Sequence, residues 1–295
     1  MADGLNREVT VAPSDGPRVR GAARGLGGPP DVGGIVDVAE HNRRALFDAR
    51  RTGDIGLVHS WELVTAVDGP GTRMTLFMSG CPLRCKYCHN PDTMELREGT
   101  LENVDDVIKR VKRYRSVFRA SGGGLTISGG EPLFQLAFTR RVLAAAKEAG
   151  IHTAVDTSGN LGHRLSDDDL DLVDLFLLDV KSGLPETYEK VTGQKLKPTI
   201  EFGERLVAHG KRMWIRFVLV PGLTDDPANV EATADIVARW APSVERVEVL
   251  PFHNMGADKW ANLGMTYELA DVRPPTRESL ESARDVFRSR GLTTF

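Results

Sequence analysis

The sequence predicts an α/β fold built on a parallel sheet whose two faces are covered by helices. Six apolar runs of strand length alternate with segments of helical periodicity, which is typical of parallel strands joined by crossover helices. Polar residues or glycines follow directly after these runs. Six strand–helix units favour a partial, TIM-like (β/α)6 barrel over a complete eightfold barrel, with an open doubly wound sheet as the alternative.

The first 54 residues differ in composition from the rest of the chain. They are rich in Gly, Pro, Ala and Arg, and such a segment cannot pack a core. We expect residues 1–54 to be a mostly disordered extension with one short helix at 36–51, and residues 55–295 to form the folded domain. A transit peptide is disfavoured because such peptides avoid acidic residues, and this segment contains several, beginning with Asp3.

The strands are predicted by short runs of apolar and β-branched residues bounded by polar residues or glycines. In chain order these runs are residues 73–79, 125–128, 153–156, 175–181, 213–220 and 246–251.

Helices are predicted between the strands, where apolar residues recur at three- and four-residue spacing. The first is indicated by Val104, Val107, Ile108 and Val111, and the second by Phe138, Val142, Leu143 and Ala146, with Gly150 ending it. Later helices are predicted at 200–208, 230–240 and 276–290.

The composition argues against several classes of protein. A hydrophobic content of 41% is enough to fill a substantial core. With 38 basic and 41 acidic residues spread along the chain, the net charge of −3 gives no electrostatic footprint for nucleic acid or a membrane surface. No apolar run approaches the roughly 18 residues of a membrane span, and the first residues lack the layout of a secretory signal. We therefore expect a cytoplasmic protein.

All three cysteines lie within eight positions, at Cys81, Cys85 and Cys88. This spacing gathers three thiolates on one small loop and is typical of metal ligation. A cubane iron–sulfur cluster held by three thiolates leaves one iron without a protein ligand, so a small molecule can bind there. The motif therefore indicates chemistry at the cluster in addition to electron storage.

Three other interpretations of the cysteines stay open at this point. Structural zinc needs four ligands, and His89 is the only obvious local fourth. The segment Cys85–His89 also matches the attachment pattern of a c-type haem, but that would leave Cys81 unexplained and would normally require export. Disulfides are disfavoured by the odd number of cysteines and by a reducing compartment.

Polar residues at the strand ends are the remaining candidates for chemistry, because active sites of parallel folds lie at the carboxyl ends of the strands. Each candidate also has an ordinary explanation as a turn, a helix cap, a surface charge or a packed side chain. The candidates are Gly129, Gly130 and Glu131 after the second strand, Asp156 and Thr157 after the third, Asp179 and Lys181 after the fourth, Arg216 on the fifth and His253 after the sixth.

Collectively the motifs resemble the radical S-adenosylmethionine superfamily, whose hallmark is the C-x3-C-x2-C spacing with an aromatic residue before the last cysteine, here Tyr87. Residues 55–295 are further similar to the activating enzymes of glycyl radical enzymes, most closely to those that act on pyruvate formate-lyase. The segments that carry this similarity are 67–73, 87–91, 121–124, 128–131, 214–216 and 220–222.

The resemblance implies a partial (β/α)6 barrel with a 4Fe-4S cluster, whose open iron is chelated by the amino and carboxylate groups of S-adenosylmethionine. One electron from the cluster then gives methionine and a 5'-deoxyadenosyl radical, which takes hydrogen from a backbone glycine of the partner enzyme. The chain lacks the additional cysteine clusters of many activating enzymes. That absence favours pyruvate formate-lyase as the partner and implies a separate electron donor, reduced flavodoxin or ferredoxin. We expect a monomer.

The resemblance also assigns roles to individual residues at matching positions. Cys81, Cys85 and Cys88 would hold the cluster, and Asp68 would lie near the substrate peptide. Asp156, Thr157 and Asp179 would bind a monovalent cation, Na⁺ or K⁺, which would relieve repulsion between the carboxylates. S-adenosylmethionine would contact Tyr87, Gly129, Gly130, Glu131, Asp179, Lys181, Arg216 and His253.

Two alternatives to this function remain. One is a radical enzyme for another glycyl radical enzyme or for a small molecule, since the same first half of the chain would serve it. The other is a non-catalytic protein that binds an iron–sulfur cluster or zinc. Binding of S-adenosylmethionine separates the second alternative from both enzymes.

Overall fold

One open sheet organises the fold. In the computed structural model, which describes residues 35–65 and 67–295, this sheet has eight strands in the order β3-β1-β2-β4-β5-β6-β7-β8. The strands are β1 (Ile55–Thr65), β2 (Arg73–Met78), β3 (Thr100–Asn103), β4 (Gly124–Gly129), β5 (His152–Thr157), β6 (Leu175–Asp179), β7 (Met213–Leu219) and β8 (Val244–Pro251).

Helices precede β1 and lie between or after the other strands. They are α1 (Ile35–Thr52), α2 (Val104–Lys112), α3 (Arg115–Ser121), α4 (Leu136–Glu148), α5 (Asp167–Asp171), α6 (Pro185–Thr192), α7 (Lys197–Ala208), α8 (Pro227–Ala238), α9 (Ala257–Asn262) and α10 (Arg277–Arg288).

Six strands, β2 and β4 to β8, pair in parallel and in chain order. Each is joined to the next by a crossover, as the alternation of strand and helix patterns predicts. These are the six predicted strands, so that prediction is confirmed. The sheet does not close on itself, which agrees with a partial barrel.

Strands β1 and β3 were not predicted. β1 pairs antiparallel with both β2 and β3, and its pairing with β2 has two register shifts, one of them between Val58 and Ser60. A bulge breaks the two-residue alternation by which a strand is recognised in a sequence. β3 is only four residues long and mostly exposed, so it carries no clear pattern.

The predicted helix at 36–51 is α1, and the other predicted helices correspond to α2, α4, α7, α8 and α10. Those that the periodicity missed, α3, α5, α6 and α9, have five to eight residues each. A helix of about two turns shows too few repeats for its period to be read. The predicted disorder concerns residues 1–34, which lie outside the described part of the chain.

The inner face of the sheet changes from apolar to charged along the strands. Ala154, Leu177 and Trp214 belong to a small buried cluster on β5, β6 and β7. Two residues further along each strand, on the same face, are Asp156, Asp179 and Arg216. The charged groups thus stand above an apolar floor. Among the described residues, no helix is long and apolar enough to cross a membrane.

Candidate active site

A cavity of about 730 Å³ opens at the carboxyl ends of the parallel strands. Most of the residues that line it come from the loop after β2 and from β4 to β8 and the segments that follow them, and the others are Val67, Asp68, Phe77, Arg284 and Phe295. All predicted site residues except Glu131 lie in its wall, namely Asp68, Cys81, Cys85, Tyr87, Cys88, Gly129, Gly130, Asp156, Thr157, Asp179, Lys181, Arg216 and His253.

Backbone hydrogen bonds hold the cysteine loop at both ends. The N–H of Cys81 donates to the carbonyl of Met94 at 3.0 Å, and the N–H groups of Arg84 and Lys86 donate to the end of α6. Gly80 precedes the first cysteine with φ of +91°, and a Cβ there would lie 2.5 Å from the Phe134 ring. Only glycine fits this position, so the sequence fixes where the loop leaves the strand.

Burial raises the pKa of all three thiols. The pKa of Cys85 rises to about 12, although Lys181 acts in the opposite direction, and burial likewise raises the pKa of Cys81 and of Cys88. Thiols in this setting keep their protons until a metal displaces them.

The three thiols lie on one loop that lines the cavity. Within residues 35–65 and 67–295, no three His, Cys, Asp or Glu side chains converge as ligands of one metal ion. A cubane cluster needs no such convergence, because each thiolate binds a different iron. Three thiols on this loop are therefore compatible with a cluster.

Glu131 is buried and ties the end of β4 to the end of β5. Its carboxylate accepts hydrogen bonds from the Thr157 hydroxyl at 2.7 Å, from the Ser158 hydroxyl at 2.6 Å and N–H at 3.0 Å, and from the N–H of Leu133 at 3.2 Å. Both carboxylate oxygens of Glu131 accept hydrogen bonds from the protein, and Glu131 does not line the cavity. Its position is therefore consistent with a structural role. Contact of Glu131 with a ligand stays a prediction.

Arg216 joins three elements across the cavity. One guanidinium N–H donates to Asp156 on β5 at 3.1 Å and Nε donates to Glu248 on β8 at 3.2 Å. The remaining nitrogen donates to the carbonyl of Val67 and lies 3.7 Å from Asp68. Burial opposes the charge of Arg216, but the surrounding carboxylates outweigh it and raise its pKa.

Asp156 has one satisfied and one free oxygen. Oδ2 accepts from the Ser128 hydroxyl at 2.7 Å and from Arg216, whereas buried Oδ1 has no hydrogen-bond partner in the described structure. Burial raises the pKa of Asp156 to about 6, with Arg216 opposing this rise and Asp179 adding to it. A buried, unsatisfied carboxylate oxygen beside a cavity is suited to bind a cation or a donor group of a ligand.

Lys181 lies between a carboxylate and an aromatic ring. Its ammonium donates to Asp179 at 2.7 Å and stands 5.7 Å from the centre of the Tyr87 ring. Burial disfavours the ammonium, but Asp179 outweighs this effect and raises the pKa of Lys181 well above its usual value. This cation stays charged and faces the same cavity as the thiols.

His253 packs on the ring of His89, with ring centroids 4.1 Å apart. Its buried Nδ1 has no partner in the part of the chain that the structure describes. His253 also lines the cavity, so its ring can contact a ligand there.

Glu248 and Arg246 line the cavity but were not singled out from the sequence. Glu248 lies opposite Arg216 in the sheet, and Arg216 lies opposite Asp179, so three charged residues form one row. The Arg246 guanidinium lies over the rings of Trp214 and Phe295, 4.5 and 3.9 Å from their centroids. The alternation Arg246, Glu248, Leu250 on one face of a strand was the only available signal.

The residues present fit a cluster with a bound S-adenosylmethionine. The three thiols, of which that of Cys85 is buried and the other two are partly buried, line the same cavity as Asp156 and His253, which each have a polar atom without a partner in the described structure. Gly129 and Gly130 form part of the wall between these groups, and neither has room for a side chain. A Cβ on Gly129 would meet backbone 2.3 Å away, so the wall at that point consists of main chain.

The chain is similar to known proteins over most of its length. Residues 75–233 match the model of the Radical SAM superfamily. The pyruvate formate-lyase-activating enzyme of Listeria monocytogenes is 39% identical over 241 residues, which cover 80% of this chain and 97% of that protein. The pyruvate formate-lyase 1-activating enzyme of Escherichia coli K12 is 38% identical over 239 residues, with the same coverage.

Solved structures share the fold at lower identity. A domain of a pyruvate-formate lyase-activating enzyme from Bacteroides vulgatus has a TM-score of 0.50 at 23% identity, over 59% of this chain and 98% of that one. SuiB of Streptococcus suis bound to the precursor peptide SuiA has a TM-score of 0.57 at 14% identity, over 92% of this chain and 57% of that one. The matched domain and the near-complete coverage of the curated relatives place this chain in the radical SAM superfamily, among the pyruvate formate-lyase-activating enzymes.

Proposed function

We propose that this protein activates pyruvate formate-lyase by generating a glycyl radical on it, with a 4Fe-4S cluster on Cys81, Cys85 and Cys88 and with S-adenosylmethionine. The observation that carries this proposal is that the three thiols and the charged strand ends line one cavity in a chain that matches these activating enzymes over 80% of its length. When bound, the cluster supplies the electron that cleaves S-adenosylmethionine and so provides a 5'-deoxyadenosyl radical.

The protein's own residues bind and orient the cofactor in this proposal. Lys181 and Asp179 form a charged pair at 2.7 Å, so they present one positive and one negative group side by side. In this proposal Lys181 attracts the carboxylate of the methionine moiety, and Asp179 accepts a hydrogen bond from its amine. Tyr87 forms the apolar side of this pair, while Gly129 and Gly130 allow the methionine backbone to approach the main chain. His253 contacts the adenosyl part, for which its buried Nδ1 supplies a hydrogen-bonding atom.

Asp68 is the proposed contact to the substrate peptide, and Arg216, a proposed contact to S-adenosylmethionine, lies beside it. Asp68 accepts from the Thr75 hydroxyl at 3.1 Å, and its own carbonyl accepts from the Thr126 hydroxyl at 2.7 Å. Arg216 donates to the neighbouring Val67 carbonyl and thereby holds this segment at the cavity. Val67 and Leu250 are exposed apolar residues of the same cavity, so they offer contact to an extended glycine-containing segment.

A monovalent cation at Asp156, Thr157 and Asp179 is the finer part of this proposal. The unsatisfied Oδ1 of Asp156 supports it, and a cation there would lower the raised pKa of that carboxyl. The Thr157 hydroxyl already donates to Glu131, so it would offer its lone pairs. Arg216 and Lys181 already pair with the two carboxylates, and they would have to share them with the ion.

We further propose that reduced flavodoxin or ferredoxin delivers the electron, because the chain contains no cysteines beyond the three of the loop. The protein acts as a monomer in the cytoplasm, where thiols stay reduced. In this proposal residues 55–295 constitute the catalytic domain and residues 1–54 are an extension, of which residues 43–54 belong to the same compact unit as the domain.

The test is anaerobic reconstitution with iron and sulfide, followed by reduction and addition of S-adenosylmethionine with pyruvate formate-lyase. We expect a glycyl radical doublet on the partner by electron paramagnetic resonance, and none with the Cys85→Ser variant. Cofactor cleavage without a partner radical would move the target to another glycyl radical enzyme or a small molecule. An intact cluster without any cleavage would favour a non-catalytic binding protein.

A further inference from the structure

A second segment lies over the cysteine loop. We define the cover segment as residues 253–267, which include α9 and approach the loop at Cys88 and the residues after it. Gly256 shows how close this approach is, because a Cβ there would lie 2.9 Å from the Cα of His89 and 3.2 Å from the carbonyl oxygen of Cys88. No residue larger than glycine fits between the segment and the loop without moving backbone.

Trp260 makes the central contact of the cover segment. Its indole N–H donates to the carbonyl of Cys88 at 2.9 Å, across 172 positions of sequence. The side chain is almost entirely buried and stacks on Tyr267 at a centroid distance of 5.4 Å. An indole N–H in this setting fixes the orientation of the peptide group that it binds.

Two further contacts flank Trp260. The ammonium of Lys259 donates to the side-chain oxygen of Asn90 at 2.8 Å and lies 3.1 Å from Asp92. The ring Nε2 of His89 donates to the carbonyl of His253 at 3.0 Å while the two rings stack. Three residues of the cover segment, His253, Lys259 and Trp260, thus contact the end of the cysteine loop and the residues that follow it, from Cys88 to Asp92.

We propose that Trp260 is a positioning residue for Cys88, and that the cover segment which it anchors retains the cluster. The inference rests on the cluster of the proposed function. A ligand stays bound to iron only while its thiolate keeps its direction, and hydrogen bonds outside the ligand shell fix that direction. Without the indole N–H, the Cys88 peptide loses one restraint and the third thiolate dissociates from the cluster more often.

The experiment measures how fast a ferrous chelator removes iron from the reconstituted, full-length protein under anaerobic conditions. Trp260→Phe keeps an aromatic side chain and removes the donor, and we expect iron release to be about fivefold faster, as for the loss of one hydrogen bond. Lys259→Met removes a partly exposed contact and should accelerate release by about twofold. The second variant serves if the first fails to fold.

Trp61→Phe is the matched control. Trp61 lies on β1, and its indole N–H has no partner among the described residues. The control should release iron at the wild-type rate. The thermal unfolding midpoint of each apoprotein shows whether a variant acts by lowering the stability of the whole fold. We expect this midpoint to be unchanged in Lys259→Met.

The outcomes separate this inference from the proposed function. Equal release rates for Trp260→Phe, Lys259→Met and the control, with a normal cluster in the wild type, would overturn only the inference. Faster release that merely follows a lower unfolding midpoint in both variants would also overturn it. A wild-type chain that assembles no cluster would overturn the proposed function and the inference together.

Discussion

The ammonium of Lys181 forms an ion pair with Asp179 and lies near the ring of Tyr87. Replacement by Met keeps the length of the side chain but removes its hydrogen bond to Asp179 and its charge toward the cavity. We expect Lys181→Met to bind iron normally but to bind S-adenosylmethionine about 10- to 100-fold more weakly, as expected for a lost charged hydrogen bond. Iron content and calorimetric titration with S-adenosylmethionine measure the two effects.

Two further variants serve as controls for Lys181→Met. Cys85→Ala should lose the cluster itself, while Lys190→Met, on the exposed side of α6, should change neither quantity. Loss of iron in Lys181→Met would contradict the division of roles between the cysteines and the strand ends.

The position of Glu131 should be sensitive even to the exchange of one carboxylate oxygen for an amide nitrogen. One of its oxygens accepts from the backbone N–H of Leu133 and the other from the backbone N–H of Ser158. In Glu131→Gln the new amide group must therefore face a fixed N–H donor in either orientation. We expect the free energy of unfolding of the apoprotein to fall by about 2 to 4 kcal/mol in urea denaturation.

Glu148→Gln, on the exposed side of α4, provides the comparison for this change. It should alter the free energy of unfolding by less than about 0.5 kcal/mol. Equal effects of the two substitutions would mean that the Glu131 network contributes no stability.

At the scale of elements, β4 and β2 approach so closely that Gly129 cannot carry a side chain. Its φ is +105°, and a Cβ would lie 2.3 Å from the backbone nitrogen of Met78. We expect Gly129→Ala to lower the free energy of unfolding by about 3 kcal/mol or more. Gly193→Ala is the matched control, since Gly193 has φ of +70° with no atom within 4 Å of its Cβ position. The control should lose only about 1 kcal/mol.

The short helix α5 depends on Asp169 at its first turn. Arg140 donates to both oxygens of this carboxylate at 2.5 and 2.7 Å, and the N–H of Ser166 donates to it in a capping box. Burial opposes ionisation, but these hydrogen bonds outweigh it and hold the pKa of Asp169 below its usual value. The carboxylate therefore stabilises the fold above pH about 4, and this contribution is lost as the pH falls through its lowered pKa.

Asp169→Asn tests this dependence. We expect it to lower the free energy of unfolding by about 1 to 2 kcal/mol at pH 7, with the difference from wild type shrinking toward pH 3. Denaturation in urea at a series of pH values measures both. Asp168→Asn, at an exposed position of the same helix, should show no such convergence. A constant difference at all pH values would contradict the role of the ionised carboxylate.

The elements that the sequence predicted are those with long, regular patterns. Most of the six parallel strands are largely buried and carry apolar runs of strand length, so their number and order could be predicted. The cysteine loop and most of the strand-end residues were likewise visible as motifs. The partners of those residues were not visible, because Glu248 meets Arg216 through strand pairing and Trp260 meets Cys88 across 172 positions.

For the whole molecule, the site belongs to the part of the chain that pairs into the sheet. Residues 43–295 form one compact unit, and the cavity wall begins at Val67. We expect a chain lacking residues 1–42 to keep its iron content and its rate of S-adenosylmethionine cleavage within about twofold. Reconstitution of the shortened chain beside the full chain measures both.

A deletion that extends through residue 54 should behave differently. Gly53 packs against the backbone of Ala137, and Asp54 pairs with Arg141 at 2.9 Å and accepts from the N–H of Val104 at 3.1 Å. Loss of these contacts should lower the thermal unfolding midpoint. If the shorter deletion, of residues 1–42, abolished cleavage of S-adenosylmethionine, the result would instead assign a catalytic role to the extension.

The separation between the cysteine loop and its cover also has a consequence for the order of events during synthesis. The ribosome adds 172 residues between Cys88 and Trp260, which takes roughly 10 to 35 s at bacterial rates of elongation. During that interval the nascent loop has all its thiols but nothing over them. The cysteine ligands are therefore accessible to incoming metal during this interval, and they become covered once the chain is complete.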